Sequence, residues 1–143
     1  MTEPVIRRAG PGDIPAMAAI VHAWVEETDW KPRDLTLAAL EETIRTALPD
    51  REIRVAGDPV CGSLSLDSGT LKISGLYVAA RDRGVGKALI DQVRRGRDRL
   101  WLRTHEPNRD TQRFYRREGF VAVSRHRAEP PETLAEIRME WRA

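Results

Sequence analysis

Nine residues at 81–89, R-D-R-G-V-G-K-A-L, crowd two glycines among three basic side chains. Val85, Leu89 and Val93 follow at helical spacing, so the stretch opens a helix, with Gly96 as its stop. The first amides of a helix lack intrahelical partners and form a positive dipole end, so anions bind there. Gly84 and Gly86 let the main chain approach a phosphate closely, and Arg81, Arg83 and Lys87 add fixed charge. The alternative is a glycine turn with surface arginines. Two familiar phosphate patterns are excluded. G-x-x-x-x-G-K-[ST] needs Gly at 81 and Ser or Thr at 88, where Arg81 and Ala88 stand. G-x-G-x-x-G needs a third glycine at 89, which is Leu89.

The strand that feeds this turn changes phase. Leu71 and Ile73 are apolar at odd positions, and Leu76 and Val78 at even ones. Side chains alternate strictly along a strand, so keeping one apolar face requires one inserted residue, Ser74 or Gly75. A bulge with glycine at positive φ is the expected device. It leaves main-chain groups unpaired and splays the strand from its neighbour; a plain bend without a ligand is the alternative.

The remaining elements must position these two features. Residues 4–9 read as a strand and 10–27 as a helix with Asp13 as N-cap. Residues 27–34 form a loop, and 35–48 a second helix closed by Pro49. Strands follow at 51–57, 59–67 and 70–79, with Cys61 in mid-strand as a packing residue. After the helix that opens at the glycines come a buried-type strand at 99–104, a helix at 108–119 capped by Asn108 and ended by Gly119, and strands at 120–126 and 134–142. The order β-α-α-β-β-β-α-β-α-β-β predicts an α/β (α+β) mixed sheet with helices on both faces, as a single domain over 1–143.

The net charge is +2, unevenly spread. Residues 81–127 hold 14 of the 24 basic residues and 6 of the 22 acidic ones, a local excess of +8 that points to an anionic partner or to a solvated arginine-rich surface. No apolar run approaches the roughly 20 residues that span a bilayer, so no membrane partner is expected. The N-terminal residues show no apolar signal region, and one cysteine allows no internal disulfide, so the expected setting is the cytoplasm.

R81-D-R-G84-V-G86 resembles the first signature of the GCN5-related N-acetyltransferases, the GNAT family. N108-R-D-T-Q-R-F114-Y115-R-R-E-G119-F120 is similar to its second. With the phase slip between strands, the resemblance covers essentially the whole chain. It implies a GNAT-like acyltransferase fold in which the bulged strand and the next one diverge into a V that holds the pantetheine arm of acetyl-CoA. Main-chain groups of Leu76, Tyr77 and Val78 would bind that arm. The pyrophosphate would sit on the amides from Arg83 to Ala88, Val85 and Gly86 among them, and Asn108 would contact the pantetheine besides capping its helix. Either Arg81 or Arg83 takes the signature's basic position, because only Ala79 and Ala80 separate Val78 from Arg81.

The resemblance also implies direct attack of an amine on the thioester, with the Val78 amide as oxyanion donor and Tyr115 as proton donor to the leaving thiolate. It places the acceptor near the loop at 27–34, where acidic Asp29 beside Trp30 suits a cationic amine, although a tryptophan can equally anchor a loop. His105 and Glu106, just after a buried strand, are the other acceptor-binding candidates. Residues 70–78 contain no Asp or Glu, so the general base stays open among Glu26, Glu27, Asp29, Glu106, His105 and a water chain. No metal is expected, and the family often forms homodimers, here through the final strand. The expected function is thus acetyl transfer from acetyl-CoA to a primary amine of a small molecule, amino acid or peptide. A non-catalytic acetyl-CoA sensor would bind the carrier without releasing thiol. A basic nucleic-acid binder would show salt-dependent binding that CoA does not displace; with aromatic residues at 6% and no nucleic-acid-reading motif, it ranks last.

Overall fold

A computed structural model describes residues 4–28, 36–79, 84–130 and 133–143. Among the described residues, seven strands form one sheet: β1 (Ile6–Arg8), β2 (Glu52–Ala56), β3 (Gly62–Asp67), β4 (Lys72–Val78), β5 (Arg99–His105), β6 (Val121–His126) and β7 (Glu136–Arg142). Their spatial order is β1-β2-β3-β4-β5-β7-β6, and only β4 and β5 run parallel. Helices α1 (Ile14–Glu27) and α2 (Leu37–Ala47) precede β2; α3 (Val85–Arg94) joins β4 to β5, and α4 (Arg109–Arg117) joins β5 to β6. The mixed sheet with helices on both faces is as the periodicity predicts. Among the described residues no helix is long and apolar enough to cross a membrane.

Two apolar layers hold the helices in place. Leu64, Leu66, Ile73, Leu100, Leu102 and Met139 on one sheet face pack against Leu89, Ile90 and Val93 of α3 and Tyr115 of α4. On the opposite face, Ile53 and Val55 pack against Ile14 and Met17 of α1. Burial of a large aliphatic side chain contributes roughly 1.5–3 kcal/mol, so these layers dominate the stability.

Local differences from the expected elements have physical causes. The first helix begins as a 3-10 turn at Pro11–Asp13. Asp13 does not cap through its side chain. Its carboxylate instead takes two hydrogen bonds from Arg7 at 2.7 Å and one from the Gly10 amide at 2.8 Å. The turn after β2 is wider than a two-residue hairpin. Gly57 turns it at φ 85°, and the Cys61 amide closes it on the Ala56 carbonyl at 2.8 Å, so β3 starts only at Gly62. Cys61 therefore precedes the strand, partly buried against the core.

Candidate active site

The register of β3 on β4 contains the inserted residue. Ser65 faces Gly75 and Leu66 faces Ile73, which leaves Ser74 without a partner in the ladder. The insertion keeps Ile73, Leu76 and Val78 all against the core on the α3 side, as the phase slip requires. The bulged residue is Ser74, whose hydroxyl accepts from Arg51. Gly75 is not among the residues with positive φ; it leaves room instead for the Tyr77 ring, which would lie 3.0 Å from a Cβ there.

Pairing with β5 stops at the bulge. Lys72 faces Trp101 and Ile73 faces Leu102, and beyond them the two parallel strands separate. The Ala79 amide donates to the Cys61 carbonyl at 2.7 Å. Hydrogen-bonded positions alternate along an antiparallel ladder, so Tyr77, opposite Ser63, also turns its main chain toward β3. Leu76 and Val78 turn theirs the other way, into the gap. This corrects the expectation for Tyr77, whose main-chain groups are engaged in the sheet.

The gap is a slot of about 220 Å³. Leu76, Leu102, Asn108 and Tyr115 line it from the α3/α4 side, and Trp24, Tyr77, Lys72, Arg103, His105 and Glu136 from the other. Two reactants can therefore enter from opposite faces and meet between the strands. Val78 lies outside this lining, at the wide end, while Leu76 sits inside. Trp24 meets Tyr77 edge-on at 5.6 Å and forms an aromatic wall.

Tyr115 projects from α4 between Phe114 and Phe120, each 5.2 Å away ring to ring. It is almost wholly buried, and burial, followed by the neighbouring Tyr77, pushes its phenol above the ordinary range. Burial likewise raises Tyr77. Asn108 caps α4, its Oδ1 accepting from the Thr111 amide at 3.2 Å, which leaves its NH2 group for the slot. Gln112 ties the turn before α4 by donating to the Glu106 carbonyl at 2.9 Å.

At the start of α3, Gly84 takes φ 74°, a left-handed conformation that favours glycine. The Ala88 amide donates to Gly84 O at 3.0 Å and so closes the first helical turn. Ala88 is thus unavailable to an anion; among the described residues, the helical amides of the turn without an intrahelical partner are those of Val85, Gly86 and Lys87. Gly86 serves packing, since a Cβ there would come 3.1 Å from Phe114 of α4. Lys87 is paired with Asp91 at 3.2 Å and Glu118 at 3.5 Å, and Asp91 first, then Glu118, raise its pKa. Its charge belongs to a clasp between α3 and α4 that also holds Arg94. Arg81, Arg83, Asp29 and Trp30 lie outside the described residues.

Of the acceptor candidates, His105 lines the slot. Glu106 turns outward to Arg125, which holds its carboxyl below the usual range. Glu26 sits 3.9 Å from His22 on α1. Glu136, which sequence reasoning missed, reaches the slot because β7 sets it directly opposite His105.

A model described as the acetyltransferase (GNAT) family matches residues 22–120. A protein of Rhodopseudomonas palustris described as "GCN5-Related N-acetyltransferase: Aminotransferase, Class-II" is 25% identical, with TM-score 0.79 over 100% of this chain and 98% of that one. YjaB of Escherichia coli in its apo form is 21% identical, with TM-score 0.80 over 98% of each chain. YncA of Salmonella typhimurium, solved with its cofactor acetyl-CoA, is 19% identical, with TM-score 0.68 over 99% of this chain and 94% of that one. No curated protein matches the sequence.

Proposed function

Since the chain belongs to the acetyltransferase (GNAT) family, we propose that it carries an acetyl group from acetyl-CoA to the primary amine of a small molecule, an amino acid or a peptide. The slot opened by Ser74 is the observation that carries this reading.

The residues present fit the carrier. A pantetheine arm is a chain of amides, and the unpaired main-chain groups of Leu76 and Val78 offer it the hydrogen bonds of a missing strand. The Asn108 NH2 group adds a donor on the same side. The α3 amides of Val85, Gly86 and Lys87 hold a diphosphate through their partial charge. Arg81 and Arg83 would add full charges beside them. Acetyl-CoA, when bound, supplies an acyl group activated as a thioester.

The protein's part is then orientation and proton handling. An alkylamine with pKa near 10.4 is only about 0.04% neutral at pH 7, so a proton must be removed from it. His105 lines the acceptor side of the slot, and a neutral imidazole has one ring nitrogen that accepts a proton, so His105 takes that proton. The amide of Leu76, inside the slot, and that of Val78, at its wide end, stabilise negative charge developing on the carbonyl oxygen. Tyr115 gives its phenolic proton to the departing sulfur. Its burial keeps it in the donating form through the neutral range.

A thiol-release assay with acetyl-CoA across a panel of amines tests the assignment. Turnover with at least one amine is expected. Binding of acetyl-CoA without thiol release from any amine would contradict it and favour a sensor.

A further inference from the structure

The acceptor side of the slot carries charges of both signs in a fixed arrangement. Arg103 on β5 and Glu136 on β7 stand 3.9 Å apart, Nη1 to Oε1, with side chains 35% and 36% exposed. A direct charge-assisted contact closes to about 2.7–2.9 Å, so this pair is loose, as is the 3.5 Å approach of Arg103 Nη2 to His126 Nδ1, and the guanidinium keeps further N–H donors for a third party. Arg138, directly opposite Arg103 in the ladder, is compensated differently. It bonds Glu140 at 3.1 Å and stacks on Trp101 with its guanidinium carbon 3.9 Å from the ring centre. Among the described residues lining the slot, the full charges are therefore Lys72, Arg103 and Glu136, an excess of one cation.

We propose that the acceptor is an α-amino acid-like zwitterion whose carboxylate docks on Arg103 and whose ammonium docks on Glu136. The inference rests on the transferase reading above and narrows it. An amine whose own carboxylate sits on the neighbouring carbon presents opposite charges a few ångströms apart, the mirror of the loose Arg103–Glu136 pair. A polyamine or another polycation would set a second positive charge against Arg103 or Lys72, and like charges in a partly desolvated cleft repel. Trp24 and Tyr77, packed edge-on, form the apolar wall against which the side chain of such an acceptor lies. His105, directly opposite Glu136, then stands next to the docked ammonium whose proton must leave.

The test compares kcat/KM for α-amino acids, their decarboxylated amines and a polyamine, in the wild type and in Arg103→Gln, Arg103→Lys and Glu136→Gln. In the wild type the amino acids should lead their decarboxylated amines by about 10-fold or more, the effect of one charge-assisted contact. Arg103→Gln should bring that ratio near one through a rise in KM, and Arg103→Lys should keep most of it. Glu136→Gln should raise KM for amino acids and decarboxylated amines alike. The affinity for acetyl-CoA and the melting temperature serve as controls and should hold in all three variants. Preference for polyamines or decarboxylated amines, or a ratio untouched by Arg103→Gln, would overturn the zwitterion assignment while leaving the transferase reading intact. A wild type that binds no acetyl-CoA, or binds it and acetylates nothing in the panel, would overturn both.

Discussion

Val85, the first residue of α3, rests on Gly62, the first residue of β3; a methyl group on Gly62 would lie 2.8 Å from Val85 Cγ1 and 3.4 Å from Leu89 Cδ1. Both side chains are buried, and a β-branched residue in a helix has little rotamer freedom with which to yield. Gly62→Ala is expected to destabilise the fold by about 1–3 kcal/mol, read as a lower urea midpoint. Because the displaced residue begins α3, affinity for acetyl-CoA should fall as well. Unchanged stability and affinity would mean that this contact does not hold α3.

Tyr115→Phe should lower kcat by about 10- to 100-fold and leave acetyl-CoA affinity unchanged, because only the phenolic proton is lost. Burial, followed by Tyr77, raises the Tyr115 pKa. Loss of its proton therefore begins above the ordinary phenol range. The rate should not fall as pH passes that range near 10, and an alkaline limb there that vanishes in Tyr115→Phe would contradict the shift. Full turnover in the variant would remove the donor role.

His105→Gln should reduce kcat/KM by about 100-fold and leave acetyl-CoA affinity unchanged, because only the proton acceptor is lost. Full turnover in the variant would assign that proton to another group.

Asp13 ties α1 to β1, and its partnership with Arg7 first of all lowers its carboxyl from 3.8 to about 2. A depressed carboxylate stabilises the fold above its unfolded pKa, and that contribution fades as pH drops through the folded value. The stability from this pair should therefore be lost between about pH 4 and pH 2, and amount to roughly 1–2 kcal/mol after screening at the half-exposed Arg7. Asp13→Asn should remove it at pH 7 and flatten that part of the pH–stability curve. An unchanged curve would show that the ion pair carries no net stability.

The features readable in the sequence are those governed by local periodicity. The odd-to-even move between Ile73 and Leu76 located the bulge within one residue, since a two-residue period admits no other way to keep both on the core face. Asn108 and Gly119 bracket α4 through local capping chemistry, which also placed Tyr115 one helical turn before its end. What could not be read depends on partners distant in the chain. Lys87 reads as a phosphate ligand until the fold brings Glu118 to it. Gly86 reads as a cradle until Phe114 fills the space beside it. Glu136 looks like one charge in an alternating strand, and only the β5–β7 register sets it beside His105 in the slot. The engagement of the Tyr77 main chain likewise follows from which pairs of the ladder carry hydrogen bonds, a parity fixed by the partner strand.

Deletion of Ser74 tests the central claim most directly. Removing it restores strict alternation and keeps Leu76 and Val78 on the face of Ile73, so the core and a cooperative melt should survive while the cause of the slot disappears. Calorimetric titration with acetyl-CoA should give saturable heat for the wild type and none for the folded deletion variant. A deletion variant that binds acetyl-CoA as tightly as the wild type, or a wild type that gives no heat, would contradict the account.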